Sequence, residues 1–173
     1  INLIENTEGR EGCAYAHGLS LYVETSKHKL LLDLGPSEET LHNAEKLGID
    51  LSEIDTVILS HGHFDHAGGI MPFVKINPDA KIYMQERADA DYYADEGEEA
   101  EGERYRYIGI DKAIAELPQV VKLRGDYQID DELELFTLEK RSHALPFANK
   151  RLLIKENDAF VRDDFEHEQY LAI

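Results

Sequence analysis

Three kinds of feature are scarce in this chain, and each scarcity excludes something. There is one cysteine, Cys13, among 173 residues, so no internal disulfide framework can form; this suits a reducing compartment, and a cytoplasmic location is expected. With no basic neighbour to lower its pKa, Cys13 reads as a small buried hydrophobe rather than a nucleophile. No apolar stretch approaches the roughly 20 residues that a membrane span needs, and no secretory pattern is visible, although the chain opens on Ile1 rather than Met. Basic residues are few: 18 Lys and Arg face 36 Asp and Glu, for a formal net charge of -18. Such an excess repels polyanions, so the expected partner is a small molecule, with neither nucleic acid nor membrane.

What is present suffices for one domain over residues 1–173. Apolar residues make up 42% of the chain, with nine Tyr and six Phe to fill a core. Residues 1–6 read as a strand. Leu19, Leu21 and Val23 alternate with polar neighbours, and a turn at Ser26-Lys27-His28 leads into 29–34, which predicts a hairpin. Pro36 and Ser37 open a helix with apolar Leu41, Ala44 and Leu47, ended by Gly48. A strand buried on both faces follows at 55–59, then a helix over 69–75 stopped by Asn77-Pro78, and a strand at 80–84. This order predicts an α/β layer architecture. From 85 to 107 the pattern breaks into an acidic, Tyr-containing insertion, expected to be solvated, whose tyrosines leave room for a lid. A short helix at 110–117 and strands at 120–123, 133–138 and 152–155 complete the pattern.

The chemistry is concentrated in His61-Gly62-His63-Phe64-Asp65-His66-Ala67-Gly68-Gly69, directly after the apolar run Val57-Ile58-Leu59. Three imidazoles and a carboxylate crowd six positions and repel or compete unless a cation joins them. These are ligands that zinc, iron and manganese all accept.

This histidine motif, preceded by Leu31-Leu32-Asp33-Leu34-Gly35, resembles the metallo-β-lactamase superfamily. Within it, Ala16-His17-Gly18-Leu19-Ser20, Ile108-Gly109-Ile110 and Asp163-Asp164-Phe165-Glu166-His167-Glu168-Gln169 resemble the branch of dihydropterin and ribofuranosylaminobenzene 5'-phosphate synthase-related proteins. The resemblance implies an αβ/βα sandwich and a site for two divalent metals, zinc foremost, with iron or manganese as alternatives. His61 and His63 would hold the first metal, together with a third-motif histidine assigned to His167, with His143 as the fallback. Asp65 and His66 would hold the second, Asp65 also orienting the attacking water. Asp33 and His17 would stand behind the ligands, bracing the loop and lining the pocket.

The superfamily also uses a bridging Asp or Cys and a last histidine downstream of the third motif, and this chain ends at Ile173. The expectation is therefore the leading, N-terminal part of a longer protein, with the second metal weakly held and sheet edges open to pairing with another copy. The functional expectation is a metal-dependent hydrolase acting on a small phosphorylated or cyclic ester, with pterin-related compounds among the candidate substrates. The alternatives are a non-catalytic metal-binding or interaction module and, less favoured, a flavodiiron-type redox protein, in which Glu usually stands at the position of His63.

Overall fold

A computed structural model of the chain describes residues 1–138 and 146–173. His143 lies outside the described residues. The strands are β1 (Asn2–Ile4), β2 (Ser20–Glu24), β3 (Lys29–Leu32), β4 (Thr56–Ile58), β5 (Lys81–Gln85), β6 (Tyr92–Asp95), β7 (Tyr105–Tyr107), β8 (Val120–Leu123), β9 (Tyr127–Gln128), β10 (Glu134–Phe136), β11 (Leu152–Glu156), β12 (Ala159–Arg162) and β13 (Tyr170–Ala172). The α-helices are α1 (Glu39–Lys46), α2 (Phe64–Ala67) and α3 (Ile70–Ile76). Six strands form the main sheet in the order β1-β2-β3-β4-β5-β8. The β1-β2-β3 side is antiparallel, and β3, β4, β5 and β8 run parallel.

This sheet is covered on both faces, which explains its nearly unbroken apolar runs. Side chains alternate across a strand, so Leu31, Val57, Ile82 and Met84 join one core, packed against Leu41 and Ala44 of α1 and Ile70 and Phe73 of α3. Their neighbours Leu30 and Ile58 point the other way, into a second core with Leu123, Leu133 and Leu135. A three-stranded sheet, β13-β10-β9, supplies that second cover. The mixed α/β architecture matches the fold class expected from the motif order.

Local chemistry sets the helix ends. Gly48 follows α1 at φ 77°, a left-handed conformation that glycine adopts without a Cβ penalty. After α3, Asn77 donates from Nδ2 to the carbonyls of Leu51 (3.0 Å) and Ile54 (2.7 Å), and its Oδ1 accepts from the Ala80 amide (3.1 Å). Asn43 on α1 is buried and holds the N-terminal segment, donating to the carbonyls of Leu3 and Ala14 and accepting from the Ala14 amide.

The 85–107 stretch is more ordered than its composition implies. β6 and β7 form an antiparallel hairpin within a four-stranded sheet, β12-β11-β6-β7. Tyr92 is 1% exposed and packs with Ala94, Ile108 and Ile154. The acidic residues stay at the hairpin tip, where Glu98, Glu101 and Glu103 face solvent. Tyrosine alternation on β6 buries one ring beneath the site, which outweighs the solubility of its charged neighbours.

Candidate metal centre

The histidine motif sits at the carboxyl ends of parallel strands β3 and β4, the position at which open α/β sheets bind ligands. Pairing of Leu32 with Ile58 places Asp33 beside Ser60. The Asp33 carboxylate is 1% exposed. It accepts from the Ser60 amide (2.7 Å), from Ser60 Oγ (2.7 Å) and from His66 Nδ1 (2.7 Å). Its backbone has φ 59°, a left-handed conformation that costs a non-glycine residue about 1–3 kcal/mol. The surrounding hydrogen bonds hold Asp33 there, and with Nδ1 engaged His66 turns Nε2 toward Asp65 Oδ2, 3.5 Å away.

The loop between β4 and α2 is threaded through close backbone contacts. A Cβ on Gly62 would overlap the Ala88 carbonyl, and one on Gly68 would overlap the Pro36 carbonyl. The Phe64 amide donates to the Ile108 carbonyl (2.9 Å), and His63 bridges to Gly109. The imidazoles are thereby drawn together. Ring centroids lie 4.6 Å apart for His61 and His63, and 4.1 Å for His61 and His66.

The electrostatics fit a cation. Burial, and then the neighbouring His66 and His63, push His61 well below its ordinary pKa of 6.5, so it is a neutral ring. Neutral imidazole is the form that ligates a metal. For His66, burial acts to lower the pKa, but the Asp33 hydrogen bond and charge outweigh it and the net shift is upward. Three clustered imidazoles beside the buried Asp65 carboxylate thus form a donor set of the kind a divalent metal takes. His17 reaches this set from the loop before β2: its Nε2 is 3.4 Å from Asp65 Oδ2, its Nδ1 is 3.1 Å from Asn6 Oδ1, and its side chain is 80% exposed.

His167 also comes to the site, with its ring 5.9 Å from that of His61 and 5.3 Å from that of His63. Its Nδ1 accepts from the Gly62 amide (2.8 Å), and its Nε2 lies 3.1 Å from Asp163 Oδ2. Tyr92 covers it at 4.1 Å between rings. Burial lowers the His167 pKa, opposed by Asp163.

Sequence reasoning missed four residues here. Asp163 is 1% exposed; burial opposes its ionisation, yet the hydrogen bond to His167 and the neighbouring His63 ring hold it well below the usual carboxylate range. Its spacing four residues before His167 was the available signal. Tyr92 was hidden in an acidic run. Ser60 links Asp33 to His61, whose Nδ1 is 2.9 Å from Ser60 Oγ. Gln169 is 2% exposed and donates to the carbonyls of Leu59 (2.8 Å) and Tyr83 (3.0 Å), while its amide donates to the Ser60 carbonyl (2.8 Å).

The metallo-beta-lactamase superfamily profile matches residues 16–145, and the chain belongs to that superfamily. It is 32% identical over 117 residues to an uncharacterized protein of Methanocaldococcus jannaschii, covering 66% of this chain and 41% of that protein. It is 40% identical over 73 residues to the 7,8-dihydropterin-6-methyl-4-(beta-D-ribofuranosyl)-aminobenzene-5'-phosphate synthase of the same organism, covering 39% of this chain and 25% of the synthase. Among solved structures, Tm1679, a metal-dependent hydrolase of the beta-lactamase superfamily, superimposes with a TM-score of 0.78 at 26% identity, covering 98% of this chain and 59% of that one. The chain thus spans less than half the length of these two curated relatives. Among the described residues, no helix is long and apolar enough to cross a membrane.

Proposed function

We propose that this protein is a metal-dependent hydrolase that directs a metal-activated water at a small phosphorylated or cyclic ester, with a pterin-like ring as the first substrate class to examine. The observation that carries this reading is the cluster of His61, His63 and His66 at the carboxyl ends of parallel strands, with His61 held neutral by burial. Partial similarity to a dihydropterin-related synthase supports the choice of substrate class.

In this reading His61 and His63, with His167 as the third-motif histidine, would hold one divalent metal, and Asp65 and His66 would hold a second, with zinc as the first expectation and iron or manganese accepted by the same donors. Bound there, such a metal supplies Lewis acidity, polarising a substrate oxygen and lowering the pKa of a water to about 7. The chain's own groups do the positioning. Asp65 accepts a hydrogen bond from the attacking water and orients its lone pair toward the electrophile. Asp33 fixes the His66 ring through Nδ1, so that Nε2 faces the site. His17, exposed and close to Asp65, meets the substrate from the solvent side.

The test is hydrolysis of bis(p-nitrophenyl) phosphate and of a cyclic phosphodiester by the zinc- or manganese-loaded protein. Turnover should appear, and Asp65→Asn should lower it by about 100-fold or more, the scale of losing an aligned catalytic group. Metal-loaded protein without turnover on either ester would contradict this reading and favour a non-catalytic metal-binding module.

A further inference from the structure

We infer that Asp163 and His167 act as a positioning dyad behind the histidine loop, and that His167 is not itself a metal ligand. The inference rests on the metal-hydrolase reading above and revises which residues belong to its ligand set. At first sight His63, Asp163 and His167 resemble a cation site, because one donor atom from each lies within 4.8 Å of the others. The hydrogen bonds point elsewhere. The Gly62 backbone amide can only donate, and it lies 2.8 Å from His167 Nδ1. Nδ1 therefore presents a lone pair and carries no proton. The single proton of the neutral ring then resides on Nε2, where Asp163 Oδ2 accepts it at 3.1 Å. A protonated Nε2 has no lone pair left for a metal. A doubly protonated ring is excluded by the same contact, since Nδ1–H would face the Gly62 N–H.

Asp163 is held for this task. Its other oxygen, Oδ1, accepts from the Phe165 amide (2.9 Å), across a turn in which Phe165 has φ 60°. Its own amide donates to the Leu152 carbonyl of β11 (3.0 Å). Its Oδ2 also lies 3.5 Å from His63 Nε2, a buried nitrogen with no hydrogen-bond partner. A carboxylate at that nitrogen marks Nε2 as the proton-bearing side of His63 and leaves Nδ1 as its ligating nitrogen, the arrangement in which outer carboxylates orient metal-bound imidazoles. One carboxylate thus serves two rings: through His167 it anchors the Gly62 backbone, and directly it turns His63.

The experiment is determination of the His167 tautomer by long-range nitrogen–proton NMR, on the protein without metal and after zinc loading, with zinc content measured in the same samples. Expected is a pyridine-type Nδ1 and a protonated, pyrrole-type Nε2 in both states, with the resonance assigned by its loss in His167→Asn. A protonated Nδ1 with zinc on Nε2 would overturn the dyad while leaving the metal reading intact. The expected tautomer with no zinc uptake would support the dyad and contradict the metal reading. As a second measurement, Asp163→Asn presents an N–H to His167 Nε2 and drives the proton to Nδ1, against Gly62. Zinc affinity should fall about 10- to 100-fold at unchanged saturating stoichiometry. Unchanged affinity together with an unchanged tautomer would overturn the proposal.

Discussion

At the scale of single residues, the site is built by groups whose partners are almost fully specified. Asp33 has three donors on two oxygens and no room for water. Asp33→Asn keeps the shape but turns an N–H toward either Ser60 or His66 Nδ1. Leaving a buried donor without an acceptor costs about 1–3 kcal/mol. Metal affinity should drop about 10- to 100-fold as His66 loses its orientation, which calorimetric zinc titration would reveal. If that variant bound zinc as the parent does, the bracing role would be lost. Gly62 makes a different demand, since the Ala88 carbonyl occupies the place of a Cβ. Gly62→Ala must push the histidine loop away from Ala88, and forced overpacking of this kind costs about 1–3 kcal/mol. Denaturant unfolding should show that loss without any change in ligand chemistry.

Legibility in the sequence followed range. The ligand candidates His61, His63, Asp65 and His66 share one loop and could be named from spacing alone. Asp33 and His17 are separated from that loop in sequence, and only a family resemblance pointed to them. Gln169 had no local signal strong enough to stand out, because its role is a hydrogen bond to the Leu59 carbonyl, more than a hundred positions away. Asp163 meets the motif through His167, whose Nδ1 reaches the Gly62 amide over a similar separation.

At the scale of elements, apolar runs and stop signals located the main sheet, buried on both faces, and α1, whose one buried face repeats at helical spacing. They failed on β6 and β7, because β6 takes its second partner from β11, far along the chain (Ile154 opposite Tyr92), and the charged hairpin tip masks a buried Tyr92. A second device joins distant elements at the other end of the sheet. The β2–β3 turn holds the loop before β10: His28 Nδ1 meets Asp55 (2.7 Å) and His28 Nε2 meets Asp130 (2.8 Å), while Thr25 donates to Glu132 (2.5 Å) and Lys27 pairs with Asp131. Hydrogen bonds to Asp130 and Asp55 raise the His28 pKa above 6.5. That contribution to stability is complete below pH 6.5 and disappears as pH rises through the raised value. The Asp130 carboxyl is lowered from 3.8 to about 2 by the same histidine. Its contribution is complete above pH 3.8 and is lost as pH falls through about 2. The clamp should therefore be strongest between pH 3.8 and 6.5. Unfolding free energy measured against pH should decline above that window, and His28→Gln should remove this part of the decline. An identical alkaline slope in the variant would show that the clamp contributes nothing.

At the scale of the whole molecule, a net charge of -18 is carried on a fold whose candidate metal ligands are buried or half-buried. Self-repulsion of that size weakens the compact state and is screened by salt within a Debye length of about 10 Å at 0.1 M. The thermal midpoint should rise as sodium chloride increases from about 10 mM to 150 mM, read by calorimetry; a falling midpoint would mean that the surface ion pairs outweigh the repulsion. The same field opposes polyanions, so the small-molecule reading predicts no retention on heparin.

The central claim is that the histidine loop is a metal centre. It is tested most directly by elemental analysis of the purified protein after zinc loading and desalting, beside the His61→Ala/His63→Ala variant. The account predicts tightly held zinc in the parent and a loss of at least one equivalent in the variant. Equal metal content in both, or none in either, would contradict it.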